Sequence, residues 1–465
     1  MRKDECGLGV EDIYSMDKVQ ADWEYIREFT EKVNKEGFPM FMGYEWQGAG
    51  KDGDHNIFFL KNNQNPYFPL RYSELEKNFR EVDCIAIPHH LAYELGHRGK
   101  NWETHNDKFS PFAEIYSSHG SSENDESQFT MDRHIHMGPR TGVTAVEKGW
   151  EKGHQFGVIA SGDNHSVPGV YGFGYIAVLA EDNTKESIWD AFINKRVYGV
   201  SKDRIKLDFS IDDTIMGGSV TPKKDSKLVL NVEASNAIDR IEIIEDNITT
   251  EMIPHTSTWE KKALDKNVQF KFKADFGWGP DRRIFPDIKS RNWRGSLSTE
   301  GKILSIEKCW SNFGQRLYDV TDNSCKFDLT SYKTTATGKW MGPSAVTTEG
   351  FIFEISAPID SFITLTVDGK EYKFEVKELF ESSRLIPLLE EAEDLLKESF
   401  NFTEYYRTDP WWHNAYKIKL SKAVPVSGYT RRIEKTIDTT NISNVRVRVW
   451  QKDGGAAWSS PIFVK

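Results

Sequence analysis

The sequence predicts an α/β domain, barrel-like or doubly wound, followed by an all-β sandwich that carries an inserted β-rich segment. Three observations predict it. Between residue 17 and about residue 200, helical stretches alternate with short apolar runs. After about Lys206 the apolar residues recur at every second position, with turn residues between the runs. From roughly 280 to 435 a stretch with its own strands and one clear helix interrupts that alternation. A chain of 465 residues is long enough for two or three domains. The expected division is 1–204, then 205–279 together with 436–465, with 280–435 as an insertion or third domain.

The first element is the helix of "DKVQADWEYIREFTEKVNKEG". Val19, Trp23, Ile26 and Val33 share one face, Asp17 is placed to cap the start, and Gly37 is placed to end it. The apolar runs "PMFMGYE", "HNIFFL", "CIAIP", "FAEIYSS", "FGVIASG" and "GYIAVLA" follow. Several read as buried on both sides, the pattern of a largely parallel sheet. Helices are expected at 73–81, 143–153 and 184–196, the last opening with Asn183 and Glu186 at capping-box spacing. "KLDFSI", "KLVLNVEA", "DRIEIIE" and "VQFKFKADF" alternate as sandwich strands, and "VRVRVWQKDGGAAWSSPIFV" closes the chain in the same way. The helix of the insertion is expected near 386–398, "IPLLEEAEDLLKE".

Composition narrows the function. Apolar residues make up 38% and aromatics 13%, enough for packed cores. A net charge of -11 disfavours nucleic acid, which needs clustered Lys and Arg, and is compatible with a cationic centre. Cys6, Cys84, Cys309 and Cys325 lack C-x-x-C spacing and are too few for a disulfide scaffold. No apolar run reaches 18 residues, and the opening residues lack the apolar core of a signal peptide. The expectation is a cytoplasmic protein with a small-molecule substrate, and with neither membrane nor nucleic acid as partner.

Ten of the twelve histidines lie between His55 and His165. Ligand-type residues there track strand rims, where α/β folds gather function. Glu45 ends "MFMGYE", His55 opens "HNIFFL", His89 and His90 end "CIAIPHH", Glu114 and His119 flank "EIYSSH", and Asp163 and His165 end "GVIASGDNH". Imidazole nitrogen suits zinc, manganese or iron, and a carboxylate can bridge two cations. Taken singly, Glu45 also reads as a satisfied strand-end carboxylate, His55 as a turn residue after Gly53-Asp54, and Glu114 as facing solvent or supporting a ligand. His134 and His136 lack a strand pattern, and His97, His105 and His154 read as structural.

"GYEWQ", "GDHNIFFL", "IPHH", "EIYSSHG" and "GVIASGDNHSVPG" together resemble the PHP (polymerase and histidinol phosphatase) superfamily. The nearest branch is one of uncharacterised proteins catalogued as a domain of unknown function, related to carbaryl-hydrolase-like metallohydrolases. "SIWDAFINKRVYGVSKDRIKLDFSID" and "QKDGGAAWSSPIFV" resemble the same branch. The resemblance implies a distorted (β/α)7 barrel with two or three divalent metals (Zn, Mn or Fe). It implies Glu45, His55, His89, Asp163 and His165 as ligands, with Glu45 bridging. Family members begin with a His-x-His on their first strand, and no histidine precedes Glu45 here. The expectation is therefore an N-terminally truncated barrel, in which Glu45, His55 and His89 form the fullest ligand set.

The expected chemistry is metal-dependent hydrolysis, with a metal-bridged hydroxide attacking a phosphoester. His119 or His90 protonates the leaving group, and Glu114, Asn164 and Asn56 support the site or contact substrate. Carboxylic ester, amide or carbamate hydrolysis on the same site is the alternative. A third reading is a non-catalytic carbohydrate- or ligand-binding β protein, suggested by the aromatics of "YYRTDPWWHNAY" at 405–416. In a fourth, the α/β half is only a scaffold whose ligands no longer bind metal.

Overall fold

The computed structural model describes residues 15–129, 131, 137, 139–163, 174–277, 290–311, 314–331, 348–401 and 416–465. Helix α1 (Met16–Lys35) starts two residues earlier than a cap at Asp17 would place it. Ser15 rather than Asp17 caps it, its Oγ accepting from the Lys18 N–H at 3.2 Å. Gly37, at φ +87°, takes the left-handed turn that leads the chain away. Trp23 is buried on the inner face, whereas Ile26 is exposed.

Strands β1 (Met42–Trp46), β2 (Asp54–Phe59) and β3 (Cys84–His89) form an antiparallel sheet in that order. Helix α2 (Tyr72–Phe79) lies between β2 and β3 in the chain. Trp46, Ile57 and Ala86 on one face of this sheet pack with Trp23 of α1 and with Tyr72, Leu75 and Phe79 of α2. Ile85 and Ile87 on the other face pack with Phe112, Ile159, Trp189 and Val197. Strand β4 (Phe112–Ser117) is followed by the short β5 (Gly120–Ser121), helix α3 (Val146–Glu151) and β6 (Gly157–Ala160), and β6 pairs parallel to β4. Strand β7 (Tyr175–Val178), helix α4 (Lys185–Ile193) and β8 (Val197–Val200) complete this half. The cap of α4 is Thr184, which accepts from the Ser187 N–H at 3.2 Å, in place of Asn183.

The expected α/β barrel, truncated or otherwise, is not what forms. Strand outweighs helix, the strands divide among several sheets, and the described residues contain no closed barrel. The physical reason lies in the connections. A parallel pair needs a crossover of about a dozen residues or more. Residues 47–53 are too few, and Gly48, Gly50 and Gly53 at positive φ turn the chain straight back into an antiparallel hairpin. The doubly buried strands that suggested a parallel sheet are real, but the cover on their second face differs. Trp450, Ala456, Trp458 and Phe463, from the end of the chain, pack with Ala113, Ile115, Val158 and Ala160.

The rest of the chain is two β-sandwiches. In the first, β9 (Ile205–Ile211), Ser226–Ala234 and Thr430–Ile437 face a sheet built on Ile238–Glu245, Asn444–Gln451 and Ala456–Ser459. That sheet continues through β8 and β7, because Ala457–Ser459 pair antiparallel with Tyr198–Val200. In the second, Asn267–Gly277, Lys302–Cys309, Thr348–Pro358 and Lys417–Leu420 face Arg291–Thr299, Ser324–Ser331, Phe362–Val367 and Lys370–Glu375. Both cores are built from inward residues of alternating strands. The insertion helix is present, at Leu389–Phe400.

A buried ion network joins the two halves. Glu123 accepts from Arg446 at 2.6 Å, from Arg448 at 2.7 Å and from the Trp458 Nε1–H at 2.9 Å. Arg446 also reaches Glu147, and Arg448 reaches Glu242. Removing one partner strands the buried charge of the other, at a cost of about 3–5 kcal/mol. Glu123→Gln is therefore expected to lower the unfolding free energy by about that amount in urea denaturation. Lys148→Ala, which breaks the exposed Lys148–Glu151 pair, should leave the midpoint nearly unmoved.

Candidate functional site

Strand register decides which side chains meet. Glu45 stands opposite Asn56, Trp46 opposite His55, and Asp54 opposite His89. Because successive residues point to opposite faces, Glu45, Asn56, Asp54 and His89 share one face, and Trp46, His55 and Pro88 the other. His55 is thereby not brought to the cluster. Its ring lies against Tyr72 (centroids 4.8 Å apart) and Trp46 (5.7 Å). Nδ1 faces the Gly53 carbonyl at 3.0 Å and Nε2 faces the buried Lys100 Nζ at 3.1 Å. Asp54, one residue earlier, occupies the face the sequence reading gave to His55.

Glu114 is the hub of the cluster. Its buried carboxylate accepts from His89 Nδ1 at 2.9 Å, from the His90 backbone N–H at 3.0 Å, and from Ser161 Oγ. These bonds tie the ends of β3 and β6 to β4. The other His89 nitrogen, Nε2, lies 3.2 Å from Asp163 Oδ1. Burial opposes charge on His89, but the two flanking carboxylates outweigh it and hold the imidazolium well above its ordinary range. Burial likewise works against ionising Glu114 and Asp163, and the His89 charge outweighs it, so both carboxyls titrate below the usual values.

His119 closes the far side. Nε2 stands 2.7 Å from Asp163 Oδ2, and Nδ1 lies 2.6 Å from the hydroxyl of buried Tyr93. Burial pulls His119 below its ordinary pKa against the attraction of Asp163. His90 lies between its neighbours, with ring centroids 3.9 Å from His89 and 4.4 Å from His119. Its Nε2 is 3.5 Å from Asp54 Oδ2, which accepts from Arg98 Nε at 2.6 Å. Burial pushes the Asp54 carboxyl up to about 7 against the pull of Arg98. Glu45 sits at the outer rim, partly exposed, 4.0 Å from Arg98 Nη2. A cavity of about 220 Å³ opens beside it, lined by Trp46, Gln47, Gly48 and Phe68–Leu70.

His90 and Asp163, the residues at the two strand ends, adopt left-handed backbone at φ +33° and +44°. Non-glycine residues occupy that region seldom, Asp and His more often than most, and such positions can mark functional sites. Here the turn aims both side chains inward instead of along the strand.

The donor set fits a divalent transition ion. Two zinc ligands with bonds of about 2.0–2.1 Å stand roughly 3.3 Å apart in a tetrahedral shell. The 3.2 Å His89–Asp163 and 3.5 Å His90–Asp54 separations have that spacing. Glu45, His89 and His90 offer ligand atoms all within 4.8 Å of one another. Asp54 Oδ1 and His90 Nδ1 are buried without a hydrogen-bond partner.

Of the residues singled out from sequence, Glu45, His89, His90, Glu114, His119 and Asp163 come together. Asn56 lies on the same face of the sheet, beside Glu45. Asn164 and His165 lie outside the described residues. Sequence reasoning missed Asp54, Tyr93, Arg98 and Ser161. Asp54 carried a signal: it alternates with His55, so only one of the two can face the cluster.

Comparison with known proteins gives kinship without chemistry. Residues 169–221 match a family model described as "Protein of unknown function (DUF3604)". That stretch overlaps the "SIWDAFINKRVYGVSKDRIKLDFSID" segment. An uncharacterized protein of Chlamydia pneumoniae is 27% identical over 229 residues, 45% of this chain and 36% of that protein. An uncharacterized protein of Chlamydia trachomatis is 26% identical over 206 residues, 40% and 32% respectively. The chain thus spans about a third of the length of the curated relatives it matches. Among solved structures, a cohesin of Acetivibrio cellulolyticus scaffoldin B aligns at 13% identity over 37% of this chain and 87% of the cohesin. Its TM-score is 0.11, too low to carry an argument. No helix among the described residues is long and apolar enough to cross a membrane.

The hub generates a pH-dependent prediction. The raised His89 pKa adds stability that is complete below the ordinary imidazole value of 6.5 and fades as pH rises through the folded value. The lowered Glu114 pKa adds stability present above 4.5 and lost in acid. Glu114→Gln should therefore destabilise most between about pH 4.5 and 6.5. It should also drop the His89 pKa in an NMR titration. A loss that is flat from pH 4 to 9 would mean the pair is not ionic.

Proposed function

We propose that this chain is a metal-dependent hydrolase of small-molecule phosphoesters, the activity implied by the resemblance of its motifs to the PHP superfamily. The observation that supports it best is the convergence of His89, His90, His119, Asp54, Glu114 and Asp163 where three strands end. A divalent ion held by these donors would supply an acidified water and charge neutralisation for an oxyanion.

The chain's own residues have separable tasks. Glu114 fixes the ring of His89 by accepting a hydrogen bond from its Nδ1–H, the support that metal-binding imidazoles generally have. Asp54 holds Arg98 in place, and the planar guanidinium suits the oxygens of a phosphoester. That fixed cation favours a phosphoester over the carboxylic ester or carbamate alternative. His119, with Tyr93 on one nitrogen and Asp163 beside the other, is positioned to deliver a proton to a leaving group. His90 is buried between two rings, and we assign it to binding in preference to proton transfer. The carbohydrate-binding reading rests on 405–416, which lies outside the described residues except for Tyr416. A reducing, cytoplasmic setting is supported by Cys84, Cys309 and Cys325, all buried and unpaired.

The test is metal analysis of purified protein, followed by turnover of p-nitrophenyl phosphate and p-nitrophenyl acetate with added Zn²⁺ or Mn²⁺. Phosphate ester turnover is expected to dominate. Asp163→Ala should lower kcat/KM by at least about 100-fold, and His119→Gln should lower kcat by roughly 10²–10⁴, the range of general acid catalysis. Unchanged turnover in Asp163→Ala would sink the assignment.

A further inference from the structure

A second group of ligand-type side chains lies apart from the one just described, on residues that the sequence reading treated as structural. His105 follows the single helical turn Trp102–Thr104, Asp107 comes two residues later, and His154 follows α3. His105 Nε2 and His154 Nδ1 each lie 3.3 Å from the same oxygen, Asp107 Oδ1. All three ligand atoms fall within 4.8 Å of one another.

His105 and Asp107 attract each other across 3.3 Å, but not in the geometry of a well-formed hydrogen bond. The His105 side chain is fully buried, and neither ring nitrogen has a hydrogen-bond partner of acceptable geometry. Asp107 Oδ1, the oxygen both imidazoles approach, also has none. Buried polar atoms of native proteins are nearly always paired, so two such atoms, His105 Nε2 and Asp107 Oδ1, facing each other with the His154 Nδ1 beside them, call for a ligand. The second atoms of Asp107 and His154 are held in supporting roles. Asp107 Oδ2 accepts from the Gln155 N–H at 2.9 Å, and His154 Nε2–H donates to the Trp102 carbonyl at 2.9 Å. That second bond leaves the His154 Nδ1 lone pair directed at the cluster, the tautomer a metal ligand requires. The 3.3 Å spacings equal the distance of about 3.3 Å between two ligands on one tetrahedral zinc.

We propose that His105 Nε2, Asp107 Oδ1 and His154 Nδ1 form a second binding site for a divalent transition ion of the zinc type, separate from the His89–Asp163 cluster. Two imidazoles and one carboxylate select a borderline ion over calcium or magnesium. Asp107 and His154 are part-exposed, at 36% and 23% of the side chain, so water completes the shell from the open side. Lys100, buried nearby, and the Asp107 carboxylate act on His105 in opposite senses. The ion would fasten the loop before β4 to the loop before β6, the two strands that deliver Glu114 and Ser161.

The experiment uses the full chain, stripped with a chelator and titrated with Co²⁺ or Zn²⁺. Bound metal is counted by mass spectrometry, Co²⁺ is followed by its visible bands, and tryptophan fluorescence is recorded alongside. Trp102 reports on the site because its ring lies 5.0 Å from His105 and 6.0 Å from His154. Asp107→Asn, which keeps the oxygen for Gln155, and the part-exposed His154→Ala should each remove one equivalent of metal and the associated quenching. In Asp163→Ala, where the other cluster is disabled, that equivalent and its quenching should persist. Asp107→Asn and His154→Ala proteins that bind as many ions, at the same affinity, as the unaltered chain would overturn the proposal. So would loss of all metal in Asp163→Ala.

Discussion

A single buried carboxylate, Glu114, holds the pocket together. Its two oxygens take up the His89 imidazole, the His90 backbone N–H and the Ser161 hydroxyl, and so join three strand ends. Burying an ion this deeply is costly unless every lone pair is met by a donor. Here each donor belongs to a residue whose orientation matters to the site. The electrostatics of that carboxylate therefore fix the geometry of its neighbours. His90 can hold a left-handed backbone because its N–H is anchored. Its ring then falls between His89 and His119, where it would not lie on a strand running straight on.

The pocket also depends on the far end of the chain. Strands β4 and β6 are apolar on both faces, and Trp450, Ala456, Trp458 and Phe463 cover the second. The C-terminal strand Asn444–Gln451 also carries Arg446 and Arg448 onto Glu123, just beyond β5. A packed wall and a buried ion network thus meet behind the strands that bear Glu114 and Asp163. Close-packed interiors transmit displacement rather than absorb it. The C-terminal sandwich is in this sense a structural part of the site, although it contributes none of the described side chains that line it.

Much of the site was legible in the sequence because strand rims are legible. An apolar run ended by His-His or by Asp gives a position and a direction. Glu45, His89, His90, Glu114, His119 and Asp163 were found in that way. Pairing was not legible. Whether β2 runs parallel or antiparallel to β1 depends on how residues 47–53 turn, and the choice of His55 over Asp54 depends on register, a matter of one residue. A local pattern gives the period of two but not its phase relative to a neighbouring strand. The barrel expectation failed for a related reason. Burial on both faces shows that cover exists, and says nothing about whether helices or a distant sheet supply it. His105, Asp107 and His154 were passed over because no strand pattern points at them. They are drawn together by two loops, which leave little periodic trace.

Charge balance ties these observations to the chemistry proposed. Glu45, Asp54, Glu114 and Asp163 gather four carboxyl groups around one pocket, and Arg98 is the permanent cation among them. The pocket meets the remaining excess with protons. His89 keeps one well above the ordinary imidazole range, and the Asp54 carboxyl keeps one up to about 7. Both protons sit on atoms that would otherwise be ligands. A divalent ion brings two positive charges to the same place and competes for the same lone pairs. Cation and proton binding are therefore alternatives, and uptake of one entails release of the other. On the function proposed above, such a site would load more readily as pH rises towards and past neutrality. Burial adds to the effect, since the lower dielectric that makes four neighbouring carboxylates costly makes a shared cation correspondingly favourable. A pocket that served only as structure would be easier to build with fewer acids. The surplus of negative charge, held in register by Glu114, is the feature that a purely architectural reading leaves unexplained.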